Sequence, residues 1–145
     1  MRKLFVLCLC LAAAVSLTCH AYDLRPRRYP IYMFGFATSF KDSVAVMTEL
    51  QNLDGYIQPN GFLSDRSLYS LQLNRRLAQM GHEGMTCVVF FGKNKAKMEK
   101  KYQKIRRKYR EKHGVEIRFL SIDRFRFETE EWTDPTGNQA PPATP

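Results

Sequence analysis

The side chains best placed to do chemistry in this chain are cationic and clustered. Residues 93–113 hold 11 Lys or Arg against 2 Glu, a balance of +9, which equals the net charge of the whole 145-residue chain. Basic character is therefore local and does not belong to the protein at large. Clustered ammonium and guanidinium groups attract phosphate, sulfate or carboxylate, which makes Lys97, Lys100, Lys101, Lys104, Arg107 and Lys108 the anion-binding candidates. Nucleic acid is one polyanion that such a face could neutralise. Base stacking would need exposed aromatics between the cations, whereas Tyr102 and Tyr109 fall on the apolar stripe of the same segment. The plain alternative is a solvated amphipathic helix whose charges confer solubility.

Catalytic constellations are sparse. Cys87 with His82 or His113 could form a thiol dyad, and the two histidines with a lysine could cleave RNA, but neither spacing encodes the geometry required. Neither histidine has metal-ligand spacing, and no cofactor fingerprint, phosphate-binding glycine loop or Gly-x-Ser-x-Gly is present. Cys87 lies in Thr86-Cys87-Val88-Val89-Phe90-Phe91, where a thiol behaves as a small hydrophobe. A small hydrolase would have to use the turn at residues 36–43, with Ser39, Asp42 and His82 as its polar groups. Glu128, Glu130 and Glu131 read as a solvated acidic run.

The location of these residues is set by the first 21. Arg2 and Lys3, an apolar run at residues 4–17 and Cys19-His20-Ala21 form the pattern of a secretory signal peptide. The run is shorter than the roughly 20 residues of a membrane-spanning helix. Acylation of Cys19 is the less favoured reading, because Ser16-Leu17-Thr18 is a poor lipoprotein motif. Cleavage before Tyr22 would remove Cys8, Cys10 and Cys19 and leave Cys87 alone, so no intramolecular disulfide could form. It would also deliver the chain to the periplasm or beyond and turn the expected partner of the cations from nucleic acid to an anionic envelope lipid or glycan.

The remaining length suits one domain. Residues 22–29, with Arg25, Arg27 and Arg28, read as an unstructured basic leader, residues 30–132 as the folded unit, and residues 133–145, which hold four prolines, as a disordered tail. Within the unit, residues 31–40 alternate with Tyr32, Phe34 and Phe36 on one side and Ile31, Met33, Gly35 and Ala37 on the other, predicting a central strand with close approach at Gly35. Residues 44–50 read as its hairpin partner, with a helix capped by Asp42 or Ser43 as the rival. The turn signals Asp54-Gly55 and Pro59-Asn60-Gly61 make residues 52–64 a loop. A helix is predicted at residues 65–80, capped by Ser64 or Asp65 and buried through Leu68, Leu71, Leu73, Leu77 and Met80, with Arg66, Arg75 and Arg76 facing solvent. A buried strand at residues 86–91 follows, then a long helix whose apolar stripe is Met98, Tyr102, Ile105 and Tyr109. Val115, Ile117 and Phe119 begin a last strand that residues 122–127 could extend or bend.

Strand, helix and strand of these lengths imply a right-handed crossover between parallel strands. The expected fold is a single α/β domain of order β-β-α-β-α-β with helices packed on a small mixed sheet. Phe34-Gly35-Phe36-Ala37-Thr38-Ser39-Phe40-Lys41-Asp42-Ser43, Leu68-Tyr69-Ser70-Leu71-Gln72-Leu73 and the run 86–91 before a Lys-rich helix together resemble small exported proteins of unknown function from Bacteroidota. That resemblance covers most of residues 30–127 and implies location and architecture, not an activity.

Overall fold

A strand that is apolar on both sides needs cover on both sides, and this requirement organises the computed structural model, which describes residues 25–39 and 43–132. β1 (Arg27–Thr38) sends Ile31, Met33 and Ala37 into one cluster and Phe34 and Phe36 into the other. Its C-terminal half pairs with β4 (Thr86–Gly92) along one edge. Along the opposite edge, β3 (Gln51–Ile57) and β2 (Val44–Thr48) lie end to end, both antiparallel to β1. The hairpin expected at residues 44–50 is therefore present. β5 (Glu116–Leu120) joins β2 in parallel and completes a mixed sheet of five strands. β4 and β5 run parallel to each other with β1 and β2 between them, as the crossover required.

The chain slips by one residue between β2 and β3. Phe36 opposes Met47, but Met33 opposes Gln51, so Thr48, Glu49 and Leu50 face only Phe34 and Gly35. This is a β-bulge. Thr48 is fully buried there, and its Oγ1 accepts the Gly35 N–H at 2.8 Å, satisfying a donor at the interrupted ladder.

The two helices cover opposite faces. α1 (Arg66–Gln79) lies on the Ile31 and Met33 side and α2 (Lys95–Arg107), continued by a π-helical turn at Lys108–Lys112, on the Phe34 and Phe36 side. An added Cβ on Gly35 would meet Leu73 Cδ2 at 2.5 Å, so the missing side chain seats α1 on the sheet.

Several expectations change. The leader is not wholly unstructured: β1 starts at Arg27, inside residues 22–29, because Arg27 to Met33 pair with β3. The loop predicted at residues 52–64 is strand through Ile57 for the same reason. Gly55 is a strand position, its missing Cβ admitting Ile31 and Leu63, and the turn proper is Gln58 to Phe62. On α1 the buried residues are Tyr69, Leu73 and Leu77, one stripe at steps of four, while Leu68 and Leu71 are 40% and 38% exposed and Met80 is exposed as well. Neither predicted cap is made: Asp65 takes the N-cap position in the left-handed region (φ 53°) without a side-chain bond, and the buried Ser64 Oγ has no partner among the described residues. Of the two expectations for residues 122–127, extending or bending the last strand, the bend is the one observed. The chain turns at Ser121, whose carbonyl accepts from Arg124 and Phe125, and then runs extended beneath α1.

That extended segment is held by side chains in place of a strand. Gln51, 2% exposed, donates to the Phe125 carbonyl at 3.0 Å and accepts from the Phe127 N–H at 2.8 Å. Gln72 bonds both the N–H and the carbonyl of Glu128 at 3.0 Å. Glu130 and Glu131 are not merely solvated: Gln72 donates to the Glu130 carboxylate and the Tyr56 hydroxyl to Glu131. Residues 1–24, which include the segment read as a signal peptide and Cys19, the turn residues 40–42 and residues 133–145 lie outside the described residues.

Candidate anion-binding surface

α2 is capped by Asn94, whose Oδ1 accepts the Lys97 N–H at 2.9 Å. The predicted stripe is the one packed on the sheet, with Met98 buried and Tyr102, Ile105 and Tyr109 half-buried. Met98 sits against Gly92, Tyr102 meets the Phe34 ring edge-on at 5.0 Å, Tyr109 lies 4.4 Å from Phe36, and Ile105 joins the same cluster. These contacts fix which sides of the helix are left to its cations. A segment this rich in like charge holds its helical form through that packing, since cations four apart repel.

The six predicted residues separate into two rows. Lys97, Lys101, Lys104 and Lys108, at steps of 4, 3 and 4, form a stripe along one flank, with Lys101 Nζ 4.8 Å from the Phe90 ring and Lys108 Nζ 5.9 Å from Tyr109. Lys100 and Arg107 form a second row beside this stripe, Lys100 one turn before Lys104, and line a groove of about 830 Å³. Arg106, which the sequence did not single out, lies 5.2 Å from the ring of the half-exposed Phe119 on β5. Among the described residues α2 makes a single ion pair, Lys95 to Glu99 at 3.8 Å, exposed and weak.

The groove is built from two elements. α2 contributes Lys95, Glu99, Lys100, Gln103 and Arg107, and the bulge between β2 and β3 contributes Glu49 and Leu50. Glu49 is held in place: its N–H donates to the Leu120 carbonyl at 3.1 Å and its carboxylate accepts the Ile122 N–H at 2.9 Å. Tyr102 also lines the groove; burial pushes its hydroxyl above the ordinary range, Glu49 adds to the rise and Arg106 opposes it. The phenol is therefore a neutral donor at physiological pH. Sequence reasoning missed the bulge wall because a one-residue slip is set by pairing across strands. The local trace of it is the break in alternation after Met47, with Leu50 in place of residue 49 rejoining the α2-side cluster. A smaller recess of about 270 Å³ collects Arg25, Arg27 and Lys93, the Lys93 Nζ lying 3.4 Å from the Tyr29 ring centroid.

The other candidates are dispersed. Phe36 and Ala37 are buried on opposite faces of β1, Ser39 is half-buried where that strand ends, Asp42 lies outside the described residues, and His82 sits in the turn between α1 and β4. Cys87 is half-buried beside Asn74, and burial pushes its thiol up, away from the thiolate a nucleophile needs. No group of His, Cys, Asp and Glu among the described residues could hold a metal ion. No described helix is long and apolar enough to cross a membrane.

Two packed helices on opposite faces of a mixed sheet define an α+β domain, and the concentration of cations on one helix is its distinctive surface. No family model, curated protein or solved structure matches the chain.

Proposed function

We propose that this is a non-enzymatic, exported binding protein whose α2 surface docks an anionic component of the cell envelope. The observation that carries the reading is the disposition of charge: α2 and its π-helical turn hold nearly all the excess cations, and among the described residues only Lys95 is drawn into an ion pair, an exposed one with Glu99, while none belongs to the apolar core. Cations that hold a fold together are normally paired or hydrogen-bonded where they lie. Export rests on the signal-peptide pattern of residues 1–21. Nucleic acid is the weaker partner, since Tyr102 and Tyr109 face the sheet and leave no aromatic row for bases.

The test is to replace Lys100, Lys104 and Arg107 by Glu together and follow retention on an immobilised polyanion and on anionic vesicles. Affinity at low salt should fall by at least about tenfold, with the loss shrinking as salt is raised. The unfolding midpoint should stay in place. Unchanged retention would remove the basis for the proposal.

A further inference from the structure

We infer that the groove between α2 and the β2–β3 bulge takes a segment of an acidic polysaccharide, its anionic groups at Lys100 and Arg107 and its hydroxyls at Gln103, Glu49 and Tyr102. The inference rests on the anion-binding reading of α2 and chooses among its partners.

Three features select a glycan over a lipid surface. The first is shape. α2 and the bulge leave between them a recess of about 830 Å³, which admits a chain able to reach Gln103, Tyr102 and Glu49, whereas a flat bilayer cannot follow it inward. The second is what α2 lacks. The exposed large apolar residues among those described are Phe62, Leu68, Leu71, Met80, Val88 and Phe119, none of them on α2, so this helix offers no apolar face for insertion between lipid headgroups. The third is composition. A site for phosphates alone would exclude carboxylates, yet Glu49 and Glu99 line this one beside Lys95, Lys100 and Arg107. Carboxylate, amide and phenol groups side by side suit a ligand that carries hydroxyls as well as charge, because sugar hydroxyls both donate and accept. Glu49 is already oriented by the Ile122 N–H, so one acceptor is fixed before any ligand arrives. Lys100 and Arg107 are seven residues apart, about 10 Å along the helix, a separation comparable to the repeat of an extended disaccharide.

The experiment measures binding of the full-length chain to polygalacturonate, to polyphosphate as a polyanion without hydroxyls, to phosphatidylglycerol vesicles and to neutral dextran. Two variants are compared, Gln103→Ala and the double variant Lys100→Glu with Arg107→Glu. Gln103 is exposed, so its truncation should leave the unfolding midpoint unchanged. The expected result is saturable binding of polygalacturonate and none of dextran, a loss of about 2–10-fold in Gln103→Ala for polygalacturonate alone, and a larger loss for both polyanions in the double variant. If polyphosphate or the vesicles bind as tightly as polygalacturonate and Gln103→Ala changes nothing, the polysaccharide inference is overturned while the anionic docking surface stands. If no polyanion binds, both fall.

Discussion

The two faces of the sheet use their polar side chains in opposite ways. On the α1 face they bond backbone: Arg66 Nη2 donates to the Val89 carbonyl at 2.9 Å, Asn74 to Met85 at 2.9 Å and Arg76 to Arg124 at 3.0 Å, while Gln72 and Gln51 stitch in the segment after β5. The α1 arginines, expected in solvent, thus include two that close the fold, and Arg66 also occupies a carbonyl on the free edge of β4, where another strand could otherwise add. On the α2 face the core contacts are aromatic, and the cations outside them make one exposed ion pair. Similar residue types therefore mean different things on the two helices. A charge whose hydrogen-bonding groups already serve the chain's own carbonyls is structural, and a row of charges without such duties is free to meet a partner.

Substitutions on the α1 face should be the most costly. Leu73 is fully buried against Gly35, and Leu73→Ala leaves a void that the glycine cannot fill, for about 3–5 kcal/mol in urea unfolding. A loss below about 1 kcal/mol would show that α1 is not seated as described. Gln51→Leu should follow at about 1–3 kcal/mol, because it strands the Phe125 carbonyl and the Phe127 N–H in the interior. If the comparison of faces is right, amide exchange in residues 125–130 should speed up in this variant and exchange in α2 should not.

The next effect is a pH dependence shared by both faces. Burial is the leading cause that raises the Tyr69 hydroxyl on the α1 side, the Tyr102 hydroxyl on the α2 side and the Cys87 thiol. Each folded group keeps its proton above the pH at which the unfolded chain releases it, so above that pH the unfolded state binds fewer protons and stability declines with rising pH. Through neutral pH these groups contribute fully. Their contribution should start to fade near pH 9 to 10, the ordinary range of thiol and phenol, and continue to fall beyond it. A chemical-denaturation series from pH 7 to 11 checks this; Tyr102→Phe should flatten part of the decline, and a flat profile in the parent protein would contradict the burial of all three.

What the sequence revealed and what it hid divide along local and non-local order. The hairpin, both helices and the Met98, Tyr102, Ile105 and Tyr109 stripe follow from periodicities within one segment, and all are present. β3 was hidden because Asp54-Gly55 looks like a turn, and only pairing with residues 18 to 30 positions away makes it a strand. The phase of α1 was misjudged because Leu68 and Leu71 are apolar by type, whereas the buried stripe is fixed by where Leu73 meets Gly35. The cations of the candidate site were visible from composition. Its second wall was not, since Glu49 is placed by the bulge and by Ile122, on the far side of the crossover.

The smallest effect concerns the α2 cations themselves and most sharply divides the two faces. Lys97 and Lys101, Lys100 and Lys104, and Lys104 and Lys108 are like-charged neighbours four apart. Each such pair opposes the helix by a few tenths of a kcal/mol at low ionic strength. Replacing Lys97 and Lys104 by Gln should therefore leave stability unchanged or raise it by about 0.5 kcal/mol in low salt, with the gain vanishing near 1 M salt as screening lengths shrink to about 3 Å. Arg66→Gln should behave in the reverse manner, destabilising at every salt concentration because it loses the bond to the Val89 carbonyl. A double-variant series by urea unfolding at two salt concentrations reads both signs at once. If the lysine substitutions destabilise in high salt as Arg66→Gln does, the α2 cations are structural after all, and the distinction between the two helices fails.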